Sequence, residues 1–145
     1  MGLDMYLKGK KSLFKDYNNP DNDFKEDGYE VDEIILNLGY WRKHPNLHGW
    51  IVQEFAKGVD DCEPIYLGEE EINQILEAIR NDKLEPTTGF FFGNDPTHDS
   101  TDPEMLEWYK EQKAEDISIF MNALAWLKSE NHKKAWRSVE YRASW

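Results

Sequence analysis

One cysteine, Cys62, stands alone in 145 residues, so no internal disulfide is available and nothing calls for an oxidising compartment. No apolar run approaches the roughly 20 residues that span a bilayer. The opening MGLDMYLKGKK lacks a signal peptide's order of basic stretch, long apolar stretch and small-residue cleavage site. Tyr6 also breaks the myristoylation pattern, which needs serine or threonine there. The chain contains no P-loop, dinucleotide fingerprint, G-x-S-x-G, H-E-x-x-H or C-x-x-C pair, which lowers the expectation of an enzyme. These absences predict a cytoplasmic protein with no membrane partner and no cofactor.

Basic residues are also scarce, 17 against 29 acidic ones, giving a net charge of −12. Long-range attraction to nucleic acid is unfavourable for such a body, so no direct nucleic-acid binding is expected. The cations that exist gather in Lys8–Lys15, in Arg42, Lys43 and His44, and in His132–Arg142. If the fold unites them they form an anion-binding face; otherwise they are three solvated edges.

Aromatic residues are plentiful. Six Trp, seven Tyr and seven Phe supply enough large side chains for a core, despite a mean hydropathy of −0.82. The length suits one domain.

Residues 2–8 alternate apolar and polar, as a half-buried strand does. Residues 16–30 are rich in Asn, Asp, Gly and Pro and read as a surface loop. The run EIILNLGYW over 33–41 is apolar on both faces, as expected of a central strand. Pro45 opens a helix carrying Leu47, Ile51 and Phe55 at four-residue spacing, which Gly58 can stop. A short strand, EPIYL, ends at Gly68. The next helix has the stripe Ile72, Ile75, Leu76 and Ile79, with Glu69–Glu71 at its positive end.

Phe90–Phe92, bracketed by Gly89 and Gly93, reads as a buried strand. Thr101-Asp-Pro-Glu104 fits a capping box before a helix reaching about Ser129. Its inward residues are Leu106, Tyr109, Ile117, Phe120, Met121, Leu124 and Leu127. The last strand puts Val139, Tyr141, Ala143 and Trp145 on one side. The order is β-β-α-β-α-β-α-β. It predicts a single α+β domain over 1–145, with a mainly antiparallel, or mixed, sheet of about five strands packed with three helices.

MGLDMYL, GYWRK followed by N-L-H-G-W, G-V-D-D-C with YL, PTTGFFFG and Y-R-A-S-W occur in that order across nearly the whole chain. In this the chain resembles an uncharacterised conserved family of bacteriophage and prophage proteins. The resemblance implies a phage-encoded accessory protein in the bacterial host cytoplasm, and it assigns no reaction. Two places depart from the family pattern. His44-Pro45 stands where small residues lead into the helix, and Asn94–Asp99 replaces a tyrosine-rich stretch.

Three constellations carry chemistry. Tyr40, Trp41, Arg42, Lys43, Asn46, His48 and Trp50 surround a strand-to-helix junction, where unpaired backbone N–H groups suit a phosphate or carboxylate. Trp41 or Trp50 would then be a stacking surface for a nucleotide; otherwise both are core and the cations are surface. Asp60 and Asp61, joined by Asp4 or His48, are the candidate divalent-metal ligands, and Cys62 beside His48 is a candidate nucleophile or a packed thiol. His98 with Asp95 and Asp99 reads as a turn, a cap or a site loop.

The leading expectation is a binding protein that engages a host protein or a small anionic ligand. Within that class, an acidic protein can mimic the charge of nucleic acid on a basic host surface. The rival is a metal-assisted hydrolase or nucleotide-processing enzyme using Asp60, Asp61 and His48.

Overall fold

The computed structural model describes residues 2–13, 24–89, 93–129 and 135–145. The chain runs β1 (Asp4–Leu13), β2 (Lys25–Glu26), β3 (Tyr29–Glu30), β4 (Glu33–Arg42), α1 (Pro45–Phe55), β5 (Ile65–Leu67), α2 (Glu69–Arg80), α3 (Pro103–Lys128) and β6 (Ala135–Ser144). β4, β1, β6 and β5 form one antiparallel sheet in that order, and β2 and β3 form a separate two-stranded sheet. The α+β class stands, and every described strand pairing is antiparallel.

The sheet has one covered face. Leu3, Met5 and Leu7 alternate inward from the first strand region, meeting Val139, Tyr141 and Ala143 of β6 and Trp41 of β4. Helix stripes close over them: Leu47 and Ile51 from α1, Ile72, Ile75, Leu76 and Ile79 from α2, Phe120 and Ala123 from α3. Fully burying one such aliphatic side chain contributes about 1.5–3 kcal/mol. Two glycines allow α3 to lie close. A Cβ on Gly39 would sit 2.6 Å from Ile119, and one on Gly9 would sit 2.9 Å from the Trp126 ring.

The opposite face has no described helix on it. Along β1 it presents Tyr6, Lys8 and Lys10. β4 adds Ile35 and Tyr40, which are 58% and 52% exposed. β6 adds Trp136 and Arg142, and β5 adds Tyr66. Tyr6 and Tyr40 pack against each other with ring centroids 5.4 Å apart.

Several expectations are corrected. The 33–41 run is an edge strand, because β4 pairs only with β1 among the described residues. Its second apolar side is the exposed one, carrying Ile35 and Tyr40. The expected loop at 16–30 contains the hairpin Lys25–Glu30, and its residues 16–23 lie outside the described residues, as does the expected strand Phe90–Phe92. The cap of α3 is Asp102, whose side chain accepts from the Glu104 N–H at 3.0 Å, rather than Thr101. Met121 and Trp145, expected inside, are 44% and 47% exposed.

Candidate functional site

β4 ends at Arg42, and Lys43 turns the chain with φ at 56°, a left-handed conformation unusual for a side chain with a Cβ. The turn delivers His44 to the start of α1, with Pro45 in the first turn supplying a fitting φ. His44 and His48 then lie one helical turn apart, and both are buried, at 5% and 2% exposure.

Each histidine sits inside its own hydrogen-bonded cluster. His44 Nδ1 lies 2.6 Å from Asp95 Oδ2, and Nε2 lies 2.6 Å from Asp116 Oδ2. Both partners accept, so both ring nitrogens must donate, and the ring is an imidazolium. Burial alone would pull its pKa down, but hydrogen bonds to Asp116 and Asp95, and their charges, outweigh that and raise it to about 9. Asp116 is further held by the Trp41 indole N–H at 2.8 Å and by Gln112 at 3.0 Å. Asp95 Oδ2 also accepts from the Asn46 backbone N–H at 2.9 Å, capping α1 from a distant loop.

The second cluster joins α1 to the turn after it and to β6. His48 Nε2 is 2.9 Å from Asp60 Oδ2, and Nδ1 is 2.6 Å from the Tyr141 hydroxyl. A proton on Nε2 donated to Asp60 leaves Nδ1 to accept from Tyr141. Burial, then the charge of Asp60, keeps the Tyr141 hydroxyl protonated far above its usual range. The Trp145 indole N–H reaches the other oxygen of Asp60 at 3.1 Å. Tyr141→Phe is expected to cost about 1–3 kcal/mol, because it strips the hydroxyl from a buried imidazole nitrogen. Chemical denaturation with an unchanged m-value checks it.

No protein-family model, curated protein or solved structure matches the chain. Its chemistry must be read from its own geometry.

The seven residues expected at the junction divide. Trp41 is core, stacked on Phe120 at 5.5 Å, so it offers no surface for a base. Asn46 is buried and accepts from the Thr87 N–H at 2.9 Å. His48 faces inward, as above. Tyr40 and Arg42 lie on the outer sheet face, where both contact Asp4, at 2.5 and 3.1 Å. The Tyr40 hydrogen bond, with Arg42, holds the Asp4 carboxyl below its ordinary value. Lys43 is exposed at the turn. Trp50 is half-buried, edge-on to Phe55 at 5.6 Å. The helix N-terminus expected to take an external anion already holds the Asp95 carboxylate.

The expected metal ligands also part. Asp60 does meet His48, so the strand-to-helix junction and the DDC turn are neighbours as expected. Asp61 instead caps the Glu63 N–H at 3.2 Å, and Asp4 belongs to Tyr40 and Arg42. Among the described residues no three His, Cys, Asp or Glu side chains form a group able to hold a metal. Cys62 adopts φ of 62° and is partly exposed. Of the loop trio, Asp99 accepts from Thr97 at 2.6 Å, His98 lies near Tyr109, and Asp95 alone turns inward.

Sequence reasoning missed His44 and Asp116 as a pair. One signal was present: Asp116 falls on the inward stripe of α3, four residues before Phe120, where an apolar residue is the rule.

Two hollows lie among the described residues near these helices. A cavity of about 20 Å³ adjoins His44, Asp95, Asp116, Tyr109 and Gln112, enough for one water and too small for a substrate. An open groove of about 850 Å³ lies between α1 and α2, flanked by Trp50, Gln53, Glu54, Gln74 and Glu77. Neither buried histidine lines it.

The basic runs do converge in part. Lys8 and Lys10, Arg42, and Arg142 come from three different runs and share the outer sheet face. Carboxylates are interleaved with them, however. Lys10 pairs with Glu140 at 3.3 Å and Arg42 with Asp4 at 3.1 Å. The face is near neutral and rich in aromatic and arginine side chains.

Proposed function

We propose that the chain is a phage-type accessory binding protein that engages a bacterial host protein in the cytoplasm through the outer face of its sheet. The observation that supports this is the composition of that face: Tyr40, Tyr66, Trp136 and Ile35 exposed beside Arg42 and Arg142. Tyrosine, tryptophan and arginine are the side chains that dominate protein-interface energetics. Interleaved carboxylates speak against a small anionic ligand or a polyanion at the same place. Glu140, 8% exposed in the middle of this face, pairs with Lys10 at 3.3 Å, so this carboxylate is already engaged within the face.

Affinity capture from bacterial lysate tests the reading. The wild-type chain is expected to retain a defined host protein, and Trp136→Ala with Tyr66→Ala to weaken retention at least about tenfold, the loss of 1.4 kcal/mol or more typical of an interface anchor. Binding through such anchors weakens only modestly with salt, whereas nucleic-acid mimicry predicts a steep loss. Retention unaffected by the double substitution would end this reading.

The rival, metal-assisted hydrolysis by Asp60, Asp61 and His48, has the 2.9 Å His48–Asp60 contact in its favour. It requires a divalent ion to bind and Asp61→Ala to abolish turnover with the fold retained. The burial of His48 weighs against it, since a general base must reach its substrate.

A further inference from the structure

We infer that β4 is a homodimer edge, pairing antiparallel with the β4 of a second copy so that two four-stranded sheets become one. β4 is ten residues long, and among the described residues it pairs with β1 and no described strand pairs along its other side. Proteins usually guard such edges with lysine, proline or inward charge. Here Ile34–Trp41 contains neither charge nor proline, and its charges, Glu33 and Arg42, lie at opposite ends.

Those ends fix a register. In a two-fold antiparallel pair centred between Asn37 and Leu38, Glu33 faces Arg42 of the second copy and Ile35 faces its Tyr40. Opposed residues must share a face, and on a regular strand 35 and 40 point to opposite faces. The β-bulge removes that conflict on either side of the centre and leaves it at the central pair, where Asn37 points outward opposite Lys8 and Leu38 packs inward on the core. Leu7 pairs with Gly39 and Lys8 with Asn37, so Leu38 is the extra residue and the alternation shifts by one. Ile35 pairs with Lys10 and Tyr40 with Tyr6, both on the outer face, as are Glu33 opposite Ser12 and Arg42 opposite Asp4. The bulge thus makes the strand self-complementary: acid to base at the ends, exposed isoleucine to exposed tyrosine inside. A second copy is the occupant with this match, because a two-fold interface places each patch against its own complement.

Sedimentation velocity from low to high protein concentration tests it. The wild-type chain is expected to form dimers with a dissociation constant in the range of about 1–100 µM, as for a small interface. I35D and Y40K, each at an exposed position, should each weaken dimerisation at least about tenfold with an unchanged circular dichroism spectrum. I35D/Y40K should return to within about threefold of wild type, because the introduced carboxylate of one copy then faces the introduced ammonium of the other. A wild-type chain that stays monomeric, a dimer indifferent to I35D, or a double variant no better than the singles overturns the proposal. Trp136 and Tyr66 lie away from β4, so their substitution leaves the dimer intact, and loss of host-protein capture is separable from loss of dimerisation.

Discussion

Asp116→Ala is expected to lower the unfolding free energy by about 3–5 kcal/mol, the cost of removing one partner from a buried charge pair. Three donors lose their acceptor at once: the His44 ring, the Trp41 indole and the Gln112 amide. His44 stays 5% exposed, so water offers little compensation for its charge. Asp116→Asn separates the contributions. Its amide oxygen still accepts from Trp41, but its charge no longer balances the imidazolium, so an intermediate loss is expected. Adding His44→Leu to Asp116→Ala should recover part of the loss, since a buried ion pair often costs little when both members go. Denaturant melts of the four proteins measure this. A loss below about 1 kcal/mol for Asp116→Ala would mean the cluster contributes little, because that is no more than an ordinary hydrogen bond.

The same cluster sets how stability responds to pH. The folded pKa of His44, about 9, lies above the ordinary 6.5, so the folded state holds its proton after the unfolded state has released it. The stabilisation is therefore complete below pH 6.5 and is lost as pH rises through about 9. Across that window it amounts to about 3 kcal/mol, at 1.36 kcal/mol for each pKa unit. His44→Gln should remove this slope, so the stability gap between wild type and variant shrinks steadily from pH 6.5 to 9. Tyr109 and Tyr141 also hold their protons above the ordinary 10, which lowers stability further only in more alkaline solution. Denaturation of both proteins at closely spaced pH values, with the His44 ring followed by NMR, checks the window. A ring that titrates near 6.5 would show that the carboxylates do not hold the charge.

Much of this fold is visible in residue order, and the reason is local. The α2 stripe from Ile72 to Ile79, the Pro45 start of α1 and the alternation of Val139, Tyr141 and Ala143 each report their own immediate geometry. The position of β4 in the sheet is not local. Ile34 to Trp41 reads as buried on both faces, and only the strand order β4-β1-β6-β5 shows that no described strand lies beyond it. The site follows the same division. His48 beside Asp60 is a short-range meeting, twelve residues apart. Asp95 and Asp116 reach His44 across 51 and 72 residues, so spacing carries no trace of them. Asp116 leaves only the oddity of an acid on an apolar stripe.

The strand at the middle of the sheet also governs how the protein comes to be folded. Asp4 sits opposite Ser144 and Leu13 opposite Ala135, so the first strand is completed by the last. Closing a loop of nearly the whole chain is entropically costly, and contacts of such long separation slow folding. In chain order β1 and β4 are synthesised well before β6, and one side of β1 has no partner until β6 is available. The sheet closes only once β6 is available, so the interval before then is when these apolar strands are most exposed to other chains.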